Sequence, residues 1–275
     1  MKNIKIHAFI FSLIISVILC CTACDSSDYS VPPNTSENQN TTISVKLTDA
    51  PGDYDAVNLE VIGVQIKSTD DGDDQNGWIS IGAKRPVVYN LLTLTGGENA
   101  LIADTLVAPG HLAQIRLLLG TNNTVLKNGV SYPLKIGQRS GLKLKLNETL
   151  AANTPYEFIL DVDVDKSVSK DVNSSDYILN PVIRIFNSAN LGAISGTINP
   201  IGFTVKATAM VGNEEVSAYV DKLGAFQING VSAGNYVVIF TPDPKSGYLQ
   251  TAVSNVIVVH GESTDLGTFI LPLKK

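Results

Sequence analysis

The sequence predicts an all-β protein that consists of two β-sandwich domains in tandem. After Thr42, apolar and polar residues alternate with a period of two in short runs, which is typical of strands with one buried face. Gly, Asn, Asp and Pro separate these runs, and stretches of helical periodicity are nearly absent. We therefore expect antiparallel sheets that pack face to face, preceded by a lipoprotein signal and a flexible tether.

The first 23 residues have the three regions of a secretory signal. Lys2 and Lys5 precede an apolar run from Ala8 to Leu19, and small residues follow that run. The run is shorter than the ~20 residues that a membrane-spanning helix needs. We therefore predict a cleavable signal peptide over residues 1–23.

All three cysteines lie at the end of this signal. Cys24 follows Thr22 and Ala23, and this arrangement resembles the lipobox of bacterial lipoproteins, in which the cysteine receives a lipid. Cys21 stands where that pattern prefers leucine, so the alternative is a secreted protein that is cut nearby and carries no lipid. The resemblance implies that Cys24 becomes a lipid-bearing N-terminus, which leaves no thiol for a disulfide or a cysteine nucleophile.

Residues 24–42 are rich in Ser, Asn, Asp and Pro and are too polar to form a core. We predict that they form a flexible tether behind the lipidated cysteine. Asp25 and Asp28 resemble the short acidic export signals of surface lipoproteins in Bacteroidota-type bacteria. The expected location is the cell envelope, with a lipid anchor in the outer membrane and exposure at the cell surface favoured.

The net charge argues against nucleic acid as a partner. The chain has 20 basic and 26 acidic residues, and loss of the signal removes Lys2 and Lys5, which gives 18 − 26 = −8. An acidic surface repels phosphate backbones, whereas a charge of this size supports solubility.

The first domain is predicted over residues 43–190. Six runs in it are predicted to be strands: 43–49, 58–68, 111–120, 141–147, 156–164 and 177–186. The sequence NLLTL at 90–94 predicts a single helical turn.

The segment VKLTDAPGDYDAVNLEVIGVQI at 45–66 resembles the opening of the domain-of-unknown-function family 4382, which is found in envelope lipoproteins. Further matching pieces follow in the same order: YNLLTLTGG at 89–97, GHLAQIRLLL at 110–119, LDVDVDKSV at 160–168 and LNPVIRIF at 179–186. The resemblance implies an extracytoplasmic β-domain. It implies no reaction and no catalytic residues.

The same opening segment also has a purely physical interpretation. Pro51 and Gly52 predict a turn, and Gly63 predicts a bulge or bend in the strand that follows. Three aspartates are expected to accept hydrogen bonds from local backbone amides: Asp49, Asp53 and Asp55.

The second domain is predicted over residues 191–275, after the polar boundary NSANLG at 187–192. Seven short runs predict a small sandwich. The segments GAISGTI at 192–198 and GAFQINGVSAGNYVVIF at 224–240 resemble carboxypeptidase regulatory-like domains, a transthyretin-like sandwich grouped with carbohydrate-binding-like folds. The resemblance implies a non-catalytic accessory module.

Few residues carry recognisable chemistry. His111 and His260 fall in different predicted domains, which favours ordinary histidines over a catalytic triad or a metal site. Asp161, Asp163 and Asp165 would share one face of a strand. Such a face either is solvated or binds Ca²⁺, and a pair of its carboxylates would also suffice for a glycosidase reaction.

The loop TDDGDDQNGW at 69–78 contains four aspartates, Asp70, Asp71, Asp73 and Asp74. Their spacing departs from that of a calcium-binding loop, which favours a solvated acidic loop. The adjacent Trp78 either stacks on a sugar or packs in the core. Farther along the chain, Asp104, Thr105 and Leu106 resemble an acceptor motif for O-glycosylation in Bacteroidota-type envelopes.

These observations predict a non-catalytic lipoprotein of the cell envelope that displays its β-domains for binding. Its expected partners are the membrane, through the lipid, and a glycan or an envelope protein, and no cofactor is expected. One alternative is a structural or assembly subunit of a surface complex. A carboxylate-dependent hydrolase is the other, and it requires Asp161, Asp163 or the acidic loop to line a concave pocket.

Overall fold

Strands make up most of the protein, as the sequence predicts. The computed structural model describes residues 40–50, 52–72, 76–82, 85–137, 141–211 and 214–275. Thirteen strands in the described ranges surround a first core: β1 (Thr41–Ala50), β2 (Ala56–Lys67), β3 (Ile79–Ser80), β4 (Val87–Asn90), β5 (Ala100–Val107), β6 (Gly110–Leu119), β7 (Thr124–Lys127), β8 (Val130–Ile136), β9 (Leu142–Leu150), β10 (Tyr156–Asp163), β11 (Val168–Lys170), β12 (Tyr177–Leu179) and β13 (Ile183–Asn187).

These strands form two sheets of a sandwich. The smaller sheet has the order β13-β10-β1-β5, and β1 runs parallel to β10 from the pair Ile43 and Tyr156 onwards. The nine-stranded sheet has the order β11-β12-β8-β7-β2-β6-β9, with β3 and β4 paired along the other edge of β2. Alternation of side chains along each strand places one face of each sheet in the shared core.

The first core is dense and apolar where the sheets meet. Val45 and Leu47 of β1 and Phe158 of β10 are fully buried, as are Val57 of β2 and Ile115 of β6. Burial of such side chains contributes roughly 1.5–3 kcal/mol each, which offsets the entropy lost on folding.

The run predicted as one strand over residues 177–186 is two strands, and that prediction is wrong. Strand β12 ends at Leu179 and pairs with β8, whereas β13 begins at Ile183 and pairs with β10 in the other sheet. Pro181 lies between them and has no N–H to donate to a ladder. The chain therefore changes sheets at this proline.

Two smaller predictions are confirmed. A 3₁₀ turn covers Leu91–Thr93, and the side chain of Asn90 accepts a hydrogen bond from the N–H of Leu92 to begin it. The register between β2 and β6 shifts between Val61 and Gly63, which is the predicted bulge.

The second sandwich contains seven strands, as predicted: β14 (Gly192–Asn199), β15 (Val205–Val211), β16 (Glu214–Tyr219), β17 (Ala225–Val231), β18 (Gly234–Pro242), β19 (Thr251–Val258) and β20 (Ser263–Ile270). They form a three-stranded sheet, β17-β14-β20, and a four-stranded sheet, β16-β15-β18-β19. Phe226 packs edge-on against Phe240 in the core, with 5.3 Å between ring centroids.

In sequence, the residues of the first core precede the boundary at 187–192 and those of the second core follow it. Residues 39–275 nevertheless form one compact unit. Backbone of one sandwich closely approaches side chains of the other. A Cβ on Gly230 would lie 2.9 Å from the ring of Phe186, and a Cβ on Gly97 would lie 2.6 Å from Oε1 of Gln227. Both glycines also have positive φ angles, so both the space and the conformation favour glycine.

The helices are very short. Helix α1 covers Val164–Ser167, and in the described ranges no helix is long and apolar enough to cross a membrane. The predicted signal peptide, Cys24 and most of the predicted tether fall outside the residues that the structure describes.

Candidate functional site: the inter-sandwich cleft

A cleft of about 720 Å³ opens between the two sandwiches, and we call it the inter-sandwich cleft. The first sandwich lines it with residues 52–55, with the segment around the 3₁₀ turn and with Asp165 of α1. The second sandwich contributes residues 201–204 and 219–223. The volume lies in the range of small-ligand sites, which often form between domains.

The cleft is acidic. One cation lines it, Lys222, and so do five carboxylates, those of Asp53, Asp55, Glu98, Asp165 and Asp221. The local charge is therefore 1 − 5 = −4. The side chain of Asp53 is 98% exposed, and its nearest cation is Lys127 at 3.5 Å. Carboxylates around a concave surface reinforce one another's field, so the cleft attracts positive charge.

Tyr219 lies at the junction between the sandwiches. Its hydroxyl donates a long hydrogen bond of 3.4 Å to Oδ2 of Asp165. Burial, followed by the charges of Asp165, Asp163 and Asp53, raises the pKa of Tyr219 to about 12. The phenol therefore stays neutral and remains a hydrogen-bond donor at every physiological pH.

Tyr54 supports the opposite wall. Its hydroxyl donates to the carbonyl of Val168 at 3.1 Å, and its ring meets Tyr177 edge-on at 5.9 Å. Burial is the largest cause of its raised pKa, and the charges of Tyr177 and Asp165 act in the same direction. Lys127 lies 4.9 Å from the centre of the ring, so this ring already accepts a cation.

Asp221 shapes the cleft. Its Oδ1 accepts hydrogen bonds from the N–H groups of Leu223 and Ala225, each at 2.8 Å. A Cβ on Gly96 would lie 3.0 Å from Oδ2 of the same carboxylate, so the first sandwich closely approaches this turn. The turn leaves Leu223 85% exposed, and Ile201, which also lines the cleft, is 52% exposed.

The three aspartates proposed as a calcium face do not share a strand face, so that expectation is wrong. Strand β10 ends at Asp163, which caps α1 by accepting from the N–H of Lys166 and pairs with its ammonium group. Asp165 follows within the helix. Asp161 is buried rather than solvated and forms an ion pair with Arg184 of β13.

Asp161 belongs to a strut between the sandwiches. Arg184 binds its carboxylate and also donates to the backbone carbonyl of Asn229 in the second sandwich at 3.2 Å. Burial raises the pKa of Asp161, although the charge of Arg184 opposes this effect. The hydrolase alternative requires Asp161, Asp163 or the acidic loop to line a concave pocket. Neither Asp161 nor Asp163, nor any described residue of the acidic loop, lines the inter-sandwich cleft.

The expectation that the aspartates near Pro51 accept from local amides is wrong for two of them. Asp55 accepts from the N–H of Gly129, which is distant in sequence, at 3.0 Å. Asp49 is 5% exposed, and neither of its oxygens makes a hydrogen bond of ordinary geometry. Burial and the charge of Asp161 raise its pKa well above the ordinary value, against a smaller effect of the N–H of Val164.

The acidic loop is exposed but neutralised where the structure describes it. Asp70 accepts from Lys145 at 2.7 Å, and Asp71 accepts from Lys67. Trp78 does not belong to the hydrophobic core. The guanidinium carbon of Arg116 lies 4.0 Å from the centre of its ring, so that face of the ring is not available to a sugar. Asp73 and Asp74 fall outside the described ranges.

The remaining singled-out residues do not form a site. His111 is exposed on β6, and His260 contacts the carbonyl of Asn190. Thr105 is half-buried and pairs with the buried Ile43, an unfavourable position for an O-glycosylation acceptor. Among the described residues, no group of three His, Cys, Asp or Glu side chains is arranged to hold a metal ion.

Comparison with known families identifies the first sandwich. Residues 40–181 match the family described as "Domain of unknown function (DUF4382)", which is more than half of the chain. The chain belongs to this family. Its match ends at residue 181, so the likeness of the second sandwich to carboxypeptidase regulatory-like domains stays a prediction. No curated protein matches the sequence.

Solved structures show weak overall likeness. A cohesin–X-dockerin complex from Acetivibrio cellulolyticus aligns at 29% identity over 29% of this chain and 56% of that one, with a TM-score of 0.23. The minor pilin GBS52 of Streptococcus agalactiae aligns at 15% identity over 84% and 96% of the two chains, with a TM-score of 0.25. This chain thus spans about half of the first structure's length.

Sequence reasoning missed the inter-sandwich cleft. The turn around Tyr54 contained a signal, because three acids and an aromatic residue stand within seven positions from 49 to 55. Tyr219, Asp221 and Leu223 gave no signal, since a tyrosine and a turn in an ordinary sandwich look the same whether or not another sandwich lies beside them.

Proposed function

We propose that this protein is a non-catalytic, lipid-anchored protein of the cell envelope that binds a basic segment of a partner protein in the inter-sandwich cleft. The observation that carries the proposal is the cleft itself, with its net charge of 1 − 5 = −4 and walls from both sandwiches. The lipid on Cys24 would hold this cleft at the membrane surface.

The chemistry of the lining favours lysine or arginine side chains over other ligands. Asp53, Glu98 and Asp165 offer carboxylates to an ammonium or guanidinium group, and neutral Tyr219 offers a ring and a hydroxyl. Leu223 and Ile201 at the rim offer apolar surface to the residues that flank such a cation. A polypeptide segment supplies both kinds of group.

Asp49 and Asp161, whose pKa values are raised, are buried outside the cleft lining, so neither carboxylate acts on a ligand in the cleft. A glycan is the competing ligand, and the binding test below distinguishes it.

The binding test uses a fluorescent peptide of alternating arginine and leucine, and a glycan array as the second arm. We expect the peptide to bind and the variant Asp165→Asn to weaken binding by about fivefold, because a partly desolvated charge contact is lost. Asp104→Asn, which changes an exposed aspartate on β5, is the matched control. Binding of a glycan without the peptide, or equal loss in both variants, would contradict the proposal.

The envelope location has its own test. We expect radiolabelled palmitate to be incorporated into the chain in cells and to be absent from Cys24→Ser. Protease added to intact cells should digest the sandwiches if they face outward. Release of an unlabelled wild-type protein into the medium would show a plain secreted protein instead.

A further inference from the structure

The outer face of the nine-stranded sheet carries a regular array of polar side chains, which we call the cation grid. Strand register places three residues in one row, Gln65, Arg116 and Lys143, and three in the next row, Lys67, Gln114 and Lys145. Residues directly opposite each other on neighbouring strands share one face. Four cations therefore lie within two rows of three strands, in a chain whose net charge is −6.

Thr69 and Asp70, at the start of the acidic loop that follows β2, lie against this grid. Gln114 donates from Nε2 to the carbonyl of Thr69 at 3.2 Å and to Oδ1 of Asp70 at 2.9 Å. Lys145 donates to the other oxygen of Asp70 at 2.7 Å. One carboxylate thus bridges two strands of the sheet, as a bound anion would.

The cover extends over the other members of the grid. Asp71 pairs with Lys67, whose side chain is only 2% exposed. The ring of Trp78 lies over Arg116, which in turn donates from Nε and Nη2 to Oε1 of Gln65. Lys145 on the edge strand β9 is 78% exposed, so the grid stays accessible from that side.

We propose that the cation grid is a second binding site, for ligands that carry phosphoryl groups, and that the carboxylates of Asp70 and Asp71 occupy it in the absence of ligand. Three ammonium groups, a guanidinium and the amide of Gln114 at the spacing of adjacent strands match the several oxygens of a phosphoryl group. Displacement of Asp70 exposes Lys145 and Gln114 first, because that carboxylate is itself 48% exposed. The phosphoryl group has two sources, a lipid headgroup or a free phosphate ester.

The test uses the full chain with Cys24→Ser, so that no lipid contributes, and two probes: inositol hexakisphosphate and vesicles of phosphatidylglycerol in phosphatidylcholine. We expect at least one probe to bind and Asp70→Asn to bind it about fivefold more tightly, since the competing charge is lost. Lys145→Gln should weaken binding by a similar factor. Binding of the vesicles alone assigns the site to a lipid surface, and binding of the free ester assigns it to a soluble ligand.

Asp104→Asn again serves as the control, because it makes the same change in net charge on the other sheet. The proposal is overturned if Asp70→Asn and Asp104→Asn have equal effects, if Lys145→Gln binds as tightly as its parent, or if neither probe binds. Thermal unfolding of each variant checks that its fold is retained. Since Lys145 is exposed, its substitution tests the grid even where Asp70→Asn perturbs the loop.

Discussion

Among the described residues, the first sandwich buries eleven polar or charged side chains, whereas the side chains buried in the second are apolar. Lys67, Asp49 and Asp161 are among those of the first sandwich, each at a cost that an apolar residue would avoid. The second sandwich instead packs aromatic and aliphatic groups such as Phe226 and Phe240. Hydrogen bonds and ion pairs offset part of this cost, as between Asp161 and Arg184, so polar contacts contribute to the packing of the first sandwich.

The second sandwich contributes to the inter-sandwich cleft through its surface. It supplies the inter-sandwich cleft with surface residues, Tyr219 and the turn at Asp221, rather than with its core. Its interior sets stability, and its position against the first sandwich sets the shape of the cleft.

The largest effect is expected from truncation of the second core. Phe240→Ala removes a ring whose centroid lies 5.3 Å from that of Phe226 and 5.2 Å from that of Phe269. We expect a loss of about 3–5 kcal/mol in the free energy of unfolding. Urea unfolding monitored by circular dichroism measures it. Val237→Ala on the same strand, where the side chain is 48% exposed, should cost less than about 0.5 kcal/mol. Equal losses would contradict the packing of Phe240 in the second core.

A smaller loss is expected from the strut that Asp161 and Arg184 form between the sandwiches. Asp161→Ala leaves Arg184 without its carboxylate, and because that side chain is 33% exposed we expect a cost of about 2 kcal/mol. The comparison is Asp163→Ala, which removes a helix cap and should cost about 1 kcal/mol. Urea unfolding distinguishes them, and a larger loss for Asp163→Ala would refute the strut.

Asp49 gives a pH-dependent prediction. A pKa that is raised in the folded state means that the native protein binds the proton more tightly, so stability falls as pH rises from the unfolded pKa through the folded one. Asp49→Asn lacks this charge and should be about 1 kcal/mol more stable than the parent at pH 8 but not at pH 4. Thermal unfolding at both pH values measures the difference, and a stabilisation that is independent of pH would exclude the charge as its cause.

The smallest effect concerns the titration of Tyr219. Asp165→Asn removes one of the charges that raise its pKa to about 12, so the pKa should fall part of the way towards its ordinary value while burial keeps it elevated. Ultraviolet absorbance of the phenolate follows this titration, with Tyr219→Phe to assign the signal. An unchanged pKa would mean that Asp165 does not contribute to the field at the cleft wall.

Local pattern was enough to predict much of the fold. Alternation predicted β1, β2 and the seven strands of the second sandwich, and the Gly63 bulge followed from the residue type. The pattern failed at Pro181, where one apolar run serves two sheets. The pattern also missed β5. A register shift in its pairing with β1, between Val45 and Lys46, interrupts the alternation of inward and outward side chains along β5.

The sequence by itself determined the all-β class, the family of the first sandwich and the residue types available for binding, since these depend on neighbours along the chain. Tertiary structure alone decided that Asp161 is buried beside Arg184, that Asp70 pairs with Lys145, and that Tyr54 and Tyr219 line a common cleft. The physical reason is that burial and electrostatic fields depend on residues that are distant in sequence, and only packing of the sheets brings those residues together.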